Sequence, residues 1–375
     1  PALIPPAISR LGRPWRAAAR APCPPTETEA MPNAFLDFFS DTKTRPTPAM
    51  RAAMMAAEVG DEQKGEDPTV TRLCERVADM LGQEDAVLLP SGTMCNQIAL
   101  AVHCRPGDEV ICDQSSHIIN SEGGGPAALA GVMLRGLPGK RGIFGAADVT
   151  GAIQPESRYR PRPRLLCVEQ TSNFGGGSIW PLETVRQVTA TAKAGGLVTH
   201  LDGARLFNAV VASGVSARDY AETFDSAWVD LTKGLGGPVG AVLAGPRDFI
   251  REAWRLKQRL GGAMRQAGFL AAAGLHALDH HVARLAEDHA NARALAAGLA
   301  QLPGIRLADD RIETNIVFFD VAGAGYSAVD FVAAAKAKGL GAGAFGPSLV
   351  RMITHLDVSA DDVRRALEII ASLRK

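Results

Sequence analysis

The stretch VDLTKGLGGPVG, residues 229–240, sets Lys233 between a short apolar run and a glycine-rich loop. An ordinary surface lysine more often has polar neighbours than this run of Gly, Leu and Val. Such surroundings predict partial desolvation, which lowers an amine's pKa and frees it as a nucleophile for a Schiff base. A second stretch, PSGTMCN at 90–96, contains Ser91, Gly92 and Thr93. A small turn entering a helix offers free backbone N–H groups and hydroxyls to a phosphate. The same triplet is also an ordinary helix entrance. It lacks the lysine of a P-loop, and G-x-G-x-x-G is absent at this turn, so neither an NTP nor NAD is favoured.

HLDGAR, residues 200–205, ends an apolar run with Asp202 ahead of a glycine. Its carboxylate is expected at the ligand edge of a sheet, although a strand-end aspartate also caps helices. His200 and Asp202, two apart, share a strand face and suggest a metal pair, but no further ligand at a recognisable spacing joins them. In DQSSHIINSEGGG, residues 113–125, His117 is a lone histidine that counts only in combination. A lysine, a phosphate cradle and an acid together describe a pyridoxal phosphate site. That cofactor needs a lysine for its aldehyde, an anion site for its phosphate and an aspartate opposite its ring nitrogen.

The elements that must position these groups follow from hydrophobic patterning. Ala86–Leu89, Glu109–Cys112, Leu165–Val168, Leu197–Leu201 and Ser226–Leu231 read as strands, and Gly240–Ala244 as a return strand. Helical stretches lie between them, notably from Ser91 to Val102 and over Pro181–Ala194. The alternation predicts an α/β fold with a mostly parallel sheet covered on both faces, and ligands bind such sheets beyond the strands' carboxyl ends. From Pro246 to about Leu302 the pattern is nearly all helical, with Leu275, Leu278, Val282 and Leu285 at spacings of three or four. After Pro303 comes a smaller alternating unit of α+β character.

The expected organisation is a disordered extension over 1–30, a large domain over 31–280 and a small C-terminal domain over 281–375. The extension is rich in Pro and Ala and carries arginines before any acid; its prolines break the amphipathic helix of a transit peptide. Lys+Arg and Asp+Glu stand at 40 each, which gives no electrostatic reason for binding nucleic acid or an anionic membrane. The apolar runs are too short to cross a bilayer. Six cysteines without C-x-x-C pairs read as reduced thiols of a cytosolic-type protein rather than as a disulfide framework or zinc site.

With these residues in place, the chain resembles the threonine aldolase family of fold-type I pyridoxal phosphate enzymes. The resemblance runs from about Phe38 to the C-terminus. It is carried by FFSDTKTRPT, VGDEQKGEDPT, PSGTMCN, HIINSEGGGPA, HLDGARLFNA, TKGLGGPVGAVLAG, GGAMRQAGFLAAAG and VRMITHLDVS, in that order. It implies the fold-type I transferase architecture, a large cofactor domain and a small C-terminal domain. It also implies a cytoplasmic homotetramer, a dimer of dimers with active sites at subunit interfaces. Lys233 matches the Schiff-base lysine, Asp202 the partner of the ring nitrogen, Ser91, Gly92 and Thr93 the phosphate loop, and His117 the imidazole stacked on the ring. Ser40, Arg205 and Arg351 match positions that hold the substrate carboxylate, with Arg205 also near the ring. Arg265 matches a basic residue brought toward the cofactor from a neighbouring subunit.

Three departures accompany the match. Lys64 stands where many relatives have a tyrosine reaching the active site, and Ser172 where many place a second histidine near the substrate hydroxyl. Gln258 stands where some carry a phosphate-contacting lysine, with Lys257 beside it as a replacement. The implied activity is retro-aldol cleavage of a β-hydroxy-α-amino acid to glycine and an aldehyde, with His117 as the base for the β-hydroxyl proton. The alternatives are β-elimination or α-decarboxylation on the same cofactor, and an inert protein that keeps the fold. No metal is expected, and the partner is a small-molecule amino acid.

Overall fold

A computed structural model describes residues 35–373. The segment read above as a disordered extension, residues 1–30, lies outside them. The first strand, β1 (Leu36–Asp37), is followed by β2 (Asp85–Leu89), β3 (Asp108–Asp113), β4 (Met133–Leu137), β5 (Arg162–Glu169), β6 (Val198–Gly203), β7 (Ser226–Asp230) and β8 (Ala241–Gly245). Strands β2 to β8 form a seven-stranded sheet in the order β2-β8-β7-β6-β5-β3-β4. Only β8 pairs antiparallel with its neighbours, β2 and β7; the pairs β7–β6, β6–β5, β5–β3 and β3–β4 are parallel. The carboxyl ends of β2, β3, β5, β6 and β7 therefore meet on one edge.

Residue alternation explains why these strands are buried on both faces. In β7, Ala227 and Val229 join the large apolar core on one side, while Trp228 joins a second cluster on the other. In β5, Leu166 and Val168 face the first core, and Leu165 and Cys167 a cluster with Val110 and Cys112 of β3. Asp202 and His200 take the same face as Trp228, which the helix Gly92–His103 covers. Ser91 caps that helix, its hydroxyl accepting the Met94 N–H at 3.2 Å. The helix-entrance reading of PSGTMCN is thus realised.

The expected strands and helices agree with those observed to within a few residues. The long helical region divides into Arg247–Arg259, Gly268–His280 and Leu285–Leu299. β4 was not expected: it is an edge strand whose Met133 is exposed, so its residues lack the apolar signature of the buried strands. After residue 303 come β9 (Arg306–Leu307), β10 (Ile316–Asp320), β11 (Leu340–Gly341), β12 (Gly343–Phe345) and β13 (Leu349–Ile353). A four-stranded antiparallel sheet runs β12-β13-β10-β9, over a core that includes Phe319, Val350, Met352, Leu295 and Phe331. β11 instead pairs parallel with β1, binding the segment at 36–37 to this smaller unit.

Strands β6 and β7 approach closely beside the site. A β-carbon on Gly203 would lie 2.0 Å from the Trp228 carbonyl oxygen. Gly203→Ala is expected to destabilise the fold by about 1–3 kcal/mol, the usual result of overpacking, seen as a lower midpoint in thermal denaturation. An unchanged midpoint would show that this spacing is not fixed.

Candidate active site

At the meeting edge lies a cavity of about 560 Å³. Ser91, Gly92 and Thr93 arrive after β2, His117 after β3, and Glu169 at the end of β5. Asp202 and Arg205 come from β6 and the turn after it, and Asp230 and Lys233 from β7 and its loop. Ser40, from the segment after β1, and Arg351, from β13, close the cavity from the side of the smaller sheet.

Lys233 is largely buried, and its Nζ lies 2.9 Å from Asp230 Oδ2. The apolar surroundings read from the sequence are present, but so is this carboxylate three residues earlier. Asp230 also accepts the Thr232 N–H at 2.7 Å and its hydroxyl at 2.6 Å, which fixes the turn carrying the lysine. Thr44 Oγ1 donates to the Lys233 carbonyl at 2.9 Å, tying the segment after β1 to the lysine loop. The Lys233 amine stands 5.8 Å from the Trp228 ring centre.

Glu169, Asp202 and Trp228 sit in register on β5, β6 and β7, side by side on one face. Beneath them the amide of Asn96 uses both ends. Its Nδ2 donates to Asp202 Oδ2 at 2.8 Å and to Glu122 Oε1 at 2.7 Å; its Oδ1 accepts from Trp228 Nε1 at 2.8 Å. Burial raises the pKa of Asp202, against the opposing influence of His117, Asn96 and Lys233. Burial also pushes the Glu169 carboxyl up to about 7, with the Asp202 charge adding to it and the backbone N–H groups of Asn173 and His117 opposing. The His200 ring is engaged with partners other than Asp202. Its ring nitrogens meet Ser226 Oγ at 2.7 Å and Asn96 Oδ1 at 3.3 Å, and burial lowers its pKa to about 3. Among the described residues no group of three or more candidate metal ligands occurs.

His117 is held at two points. Its backbone N–H donates to Glu169 Oε2 at 2.7 Å, and its ring Nδ1 lies 2.8 Å from Glu122 Oε1. Burial alone would lower its pKa; the Glu122 hydrogen bond and the charges of Asp202, Glu122 and Glu169 outweigh that and raise it.

The two arginines differ in what they have left to offer. Arg205 gives Nε and Nη2 to the two oxygens of Asp41, both at 2.7 Å, in a buried bidentate pair. Burial would raise the Asp41 pKa, but Arg205 outweighs it and holds the carboxyl far below the usual range. Arg351 donates Nη1 to Asn173 Oδ1 at 2.8 Å and stacks on Phe345 at 4.4 Å, while its buried Nε has no partner. Burial and the nearby Arg205 lower the Arg351 guanidinium to about 10, with Asp41 opposing. A bound carboxylate would complete it. The Ser40 hydroxyl faces the same cavity and accepts from Thr42 Oγ1 at 2.9 Å.

Other expected site residues lie away from this cavity. Ser172 is buried outside its lining, where its Oγ accepts the Gly175 N–H at 3.2 Å; the next residues, Asn173 and Phe174, line it instead. Gly142 packs against the Ser172 side chain: a β-carbon there would sit 2.0 Å from the Ser172 Oγ. Lys64 is exposed, and Arg265 pairs with Asp61 at 2.8 Å on the surface; neither lines the cavity. Lys257 does not replace a phosphate-contacting lysine at 258. It is fully buried, 2.8 Å from Glu62 and 4.1 Å from the Trp254 ring centre, and fastens the segment around Glu62 to the helix Arg247–Arg259. Asn96, Glu122, Glu169 and Asp230 were not singled out from the sequence, although Glu169 ends an apolar strand just as Asp202 does.

Comparison with known proteins places this arrangement. The model of the beta-eliminating lyase family matches residues 37–322. Low-specificity L-threonine aldolase 1 of Arabidopsis thaliana is 40% identical over 88% of this chain and 94% of its own length. The low specificity L-threonine aldolase of Escherichia coli K12 is 39% identical over 88% of this chain and 96% of its own length. Among solved structures, a Leishmania major threonine aldolase superposes with a TM-score of 0.79 at 24% identity, covering 90% of this chain and 99% of its own. A Sphingomonas wittichii serine palmitoyltransferase gives 0.68 at 18%, covering 90% and 86%. At these identities the structures speak for the fold alone.

The buried pair at the site makes its own prediction. Asp41→Asn would leave the Arg205 charge buried without its partner, an expected loss of about 3–5 kcal/mol, read from denaturant unfolding at neutral pH. Because the folded-state pKa of Asp41 is depressed, its contribution is present above the ordinary carboxylate range and fades as pH falls below it. The gap between wild type and variant should therefore narrow in acid, and a constant gap would contradict the assignment.

Proposed function

Since this chain belongs to the beta-eliminating lyase family and to its threonine aldolases, we propose that it cleaves a β-hydroxy-α-amino acid of the threonine type to glycine and an aldehyde. The observation that carries this reading is the convergence of Lys233 and Asp202 on one cavity beside the unpartnered Nε of Arg351. Pyridoxal 5'-phosphate fits the residues present. Lys233 would hold its aldehyde, the N-terminal turn at Ser91, Gly92 and Thr93 its phosphate, and Asp202 its ring nitrogen, with His117 over the ring. When bound, the cofactor supplies an electron-accepting ring for the pair released from the Cα–Cβ bond.

The chain's own residues do the rest. Arg351 binds the substrate carboxylate through the free edge of its guanidinium, with Phe345 holding the plane of that group and Ser40 beside it. Arg205, committed to Asp41 through Nε and Nη2, lends positive charge and shape more than a free fork. His117, with Nδ1 turned to Glu122, accepts the β-hydroxyl proton at Nε2, directly or through a water. Lys233, whose amine would hold the cofactor's aldehyde, stands beside Asp230, a partner with which it can exchange a proton. Asp202, buried and oriented by the Asn96 amide, would hold the ring nitrogen and favour a proton there.

Lys64 and Arg265, exposed here, would act on the site of a neighbouring copy in a homotetramer built as a dimer of dimers. The exposed Phe39, Val239 and Phe269 are consistent with such contacts. A large domain over 31–280, a small one over 281–375 and residence in the cytoplasm belong to the same reading. No helix among the described residues is long and apolar enough to cross a membrane.

Incubation with L-threonine, L-allo-threonine and phenylserine should yield glycine and the matching aldehyde. Ammonia with a keto acid, or carbon dioxide, would assign elimination or decarboxylation instead. Lys233→Ala should lose the visible absorbance that wild type gains with the cofactor, and retention of that spectrum would remove the lysine from its role. Arg351→Ala should raise KM by at least about tenfold, the loss of a charge-assisted bond; an unchanged KM would move the carboxylate site elsewhere.

A further inference from the structure

Glu122 is a buried carboxylate that the motif reading does not name and that touches the reaction described above only through His117. Its side chain is fully shielded from solvent, and no lysine or arginine pairs with it among the described residues. Three donors surround it: Asn96 Nδ2 at 2.7 Å, Gln97 Nε2 at a short distance, and His117 Nδ1 at 2.8 Å. The two amides are neutral, so the imidazole is the only one of the three able to bring a positive charge. A buried carboxylate without a cation is costly, so the site favours a proton on Nδ1 of His117.

We propose that Glu122 is a positioning residue for the reaction described above: it fixes the His117 tautomer with Nδ1 protonated, presents Nε2 to the cavity, and is tied through Asn96 to Asp202. The proposal rests on that reading of the reaction. Geometry supplies each part. His117 lines the cavity, and its Nδ1 is taken by Glu122, so only Nε2 is left to face a ligand. Asn96 donates to both carboxylates with one nitrogen, so its orientation couples the group beneath the ring nitrogen to the group behind the histidine. The Trp228 indole N–H fixes which way the amide points, because it needs the Asn96 oxygen as acceptor. Gln97 packs closely on the backbone of Gly125, where a β-carbon would sit 2.7 Å from its amide carbon. The carboxylates that reach His117 come from its own loop (Glu122), from β5 (Glu169) and from β6 (Asp202), and all favour its cationic form. Glu122 therefore makes the imidazole a stronger base than a solvated histidine and aims it.

The test uses cofactor-loaded enzyme in which histidine is labelled with carbon-13 at the Cε1 position. The His117 resonance is identified by its loss in His117→Asn, and followed from pH 5 to 9 in wild type and Glu122→Gln. Wild-type His117 should titrate above about 6.5, the ordinary value, and the variant should titrate at least about one unit lower. The acid limb of kcat/KM for L-threonine should move down with it, and kcat should fall at least about tenfold, the scale of one lost charge-assisted hydrogen bond. Glu122→Asp should restore part of both. If Glu122→Gln does not fold, the wild-type to Glu122→Asp comparison carries the same readings, with smaller displacements of the same sign. An unmoved His117 titration, or a loss of kcat with an unmoved acid limb, overturns the proposal. Failure of wild type to release glycine would instead count against the aldolase reading, while the titration still reports on Glu122.

Discussion

The structure turns on a carboxylate kept inside a sheet. Asp202 lies buried at the end of β6 with Glu169 and Trp228 beside it, in a place where an unpaired charge would be expensive. Two demands follow. A hydrogen-bond donor must reach it from the covering helix, which Asn96 does, and cationic groups must stand near it, which His117 and Lys233 do. The strand order brings these groups together, since parallel strands deliver their carboxyl ends to one edge. The single antiparallel strand, β8, lets the lysine loop turn back without leaving that edge.

The same constraint explains why the cavity is polar in a layered way. Acids line its floor, Asp202 and Glu169, with Asn96 and Glu122 hydrogen-bonded behind them. Its side walls carry cations: Lys233 next to Asp230, Arg205 locked to Asp41, and Arg351 partly free. The locked arginine is structural in energy and electrostatic in effect. The partly free one keeps capacity for an anion. Of the two guanidiniums, the one paired bidentately with Asp41 has less left to offer an anion than the one with an unpartnered Nε.

Much of this was legible in the residues. Lys233, Asp202, His117 and the Ser91–Thr93 turn share one cavity because each closes a strand in the sequence, and strand ends are where apolar runs stop. Asp230 was overlooked although it stands three residues before Lys233; within a strand an acid reads as a flank, and only the turn at Thr232 folds it back. Glu122 and Asn96 carry no motif. Their work depends on a helix face meeting a sheet face, a contact between distant segments that periodicity alone does not assign. Ser172 shows the converse. Its position matched a pattern, but the fold buries it under Gly142 and gives the cavity its neighbours instead. Lys64 and Arg265 lie on the surface, where a single chain's geometry assigns them no ligand.

The most direct measurement is the exchange of a glycine α-hydrogen for deuterium, followed by proton NMR with cofactor-loaded wild type and Asp202→Asn. It isolates the step in which charge develops at Cα from cleavage of any particular side chain. The account predicts that wild type exchanges one α-hydrogen readily, and that the variant, with cofactor still bound, is slower by about a hundredfold or more, the scale of a lost electrostatic stabiliser. Equal exchange rates in the two proteins would contradict it.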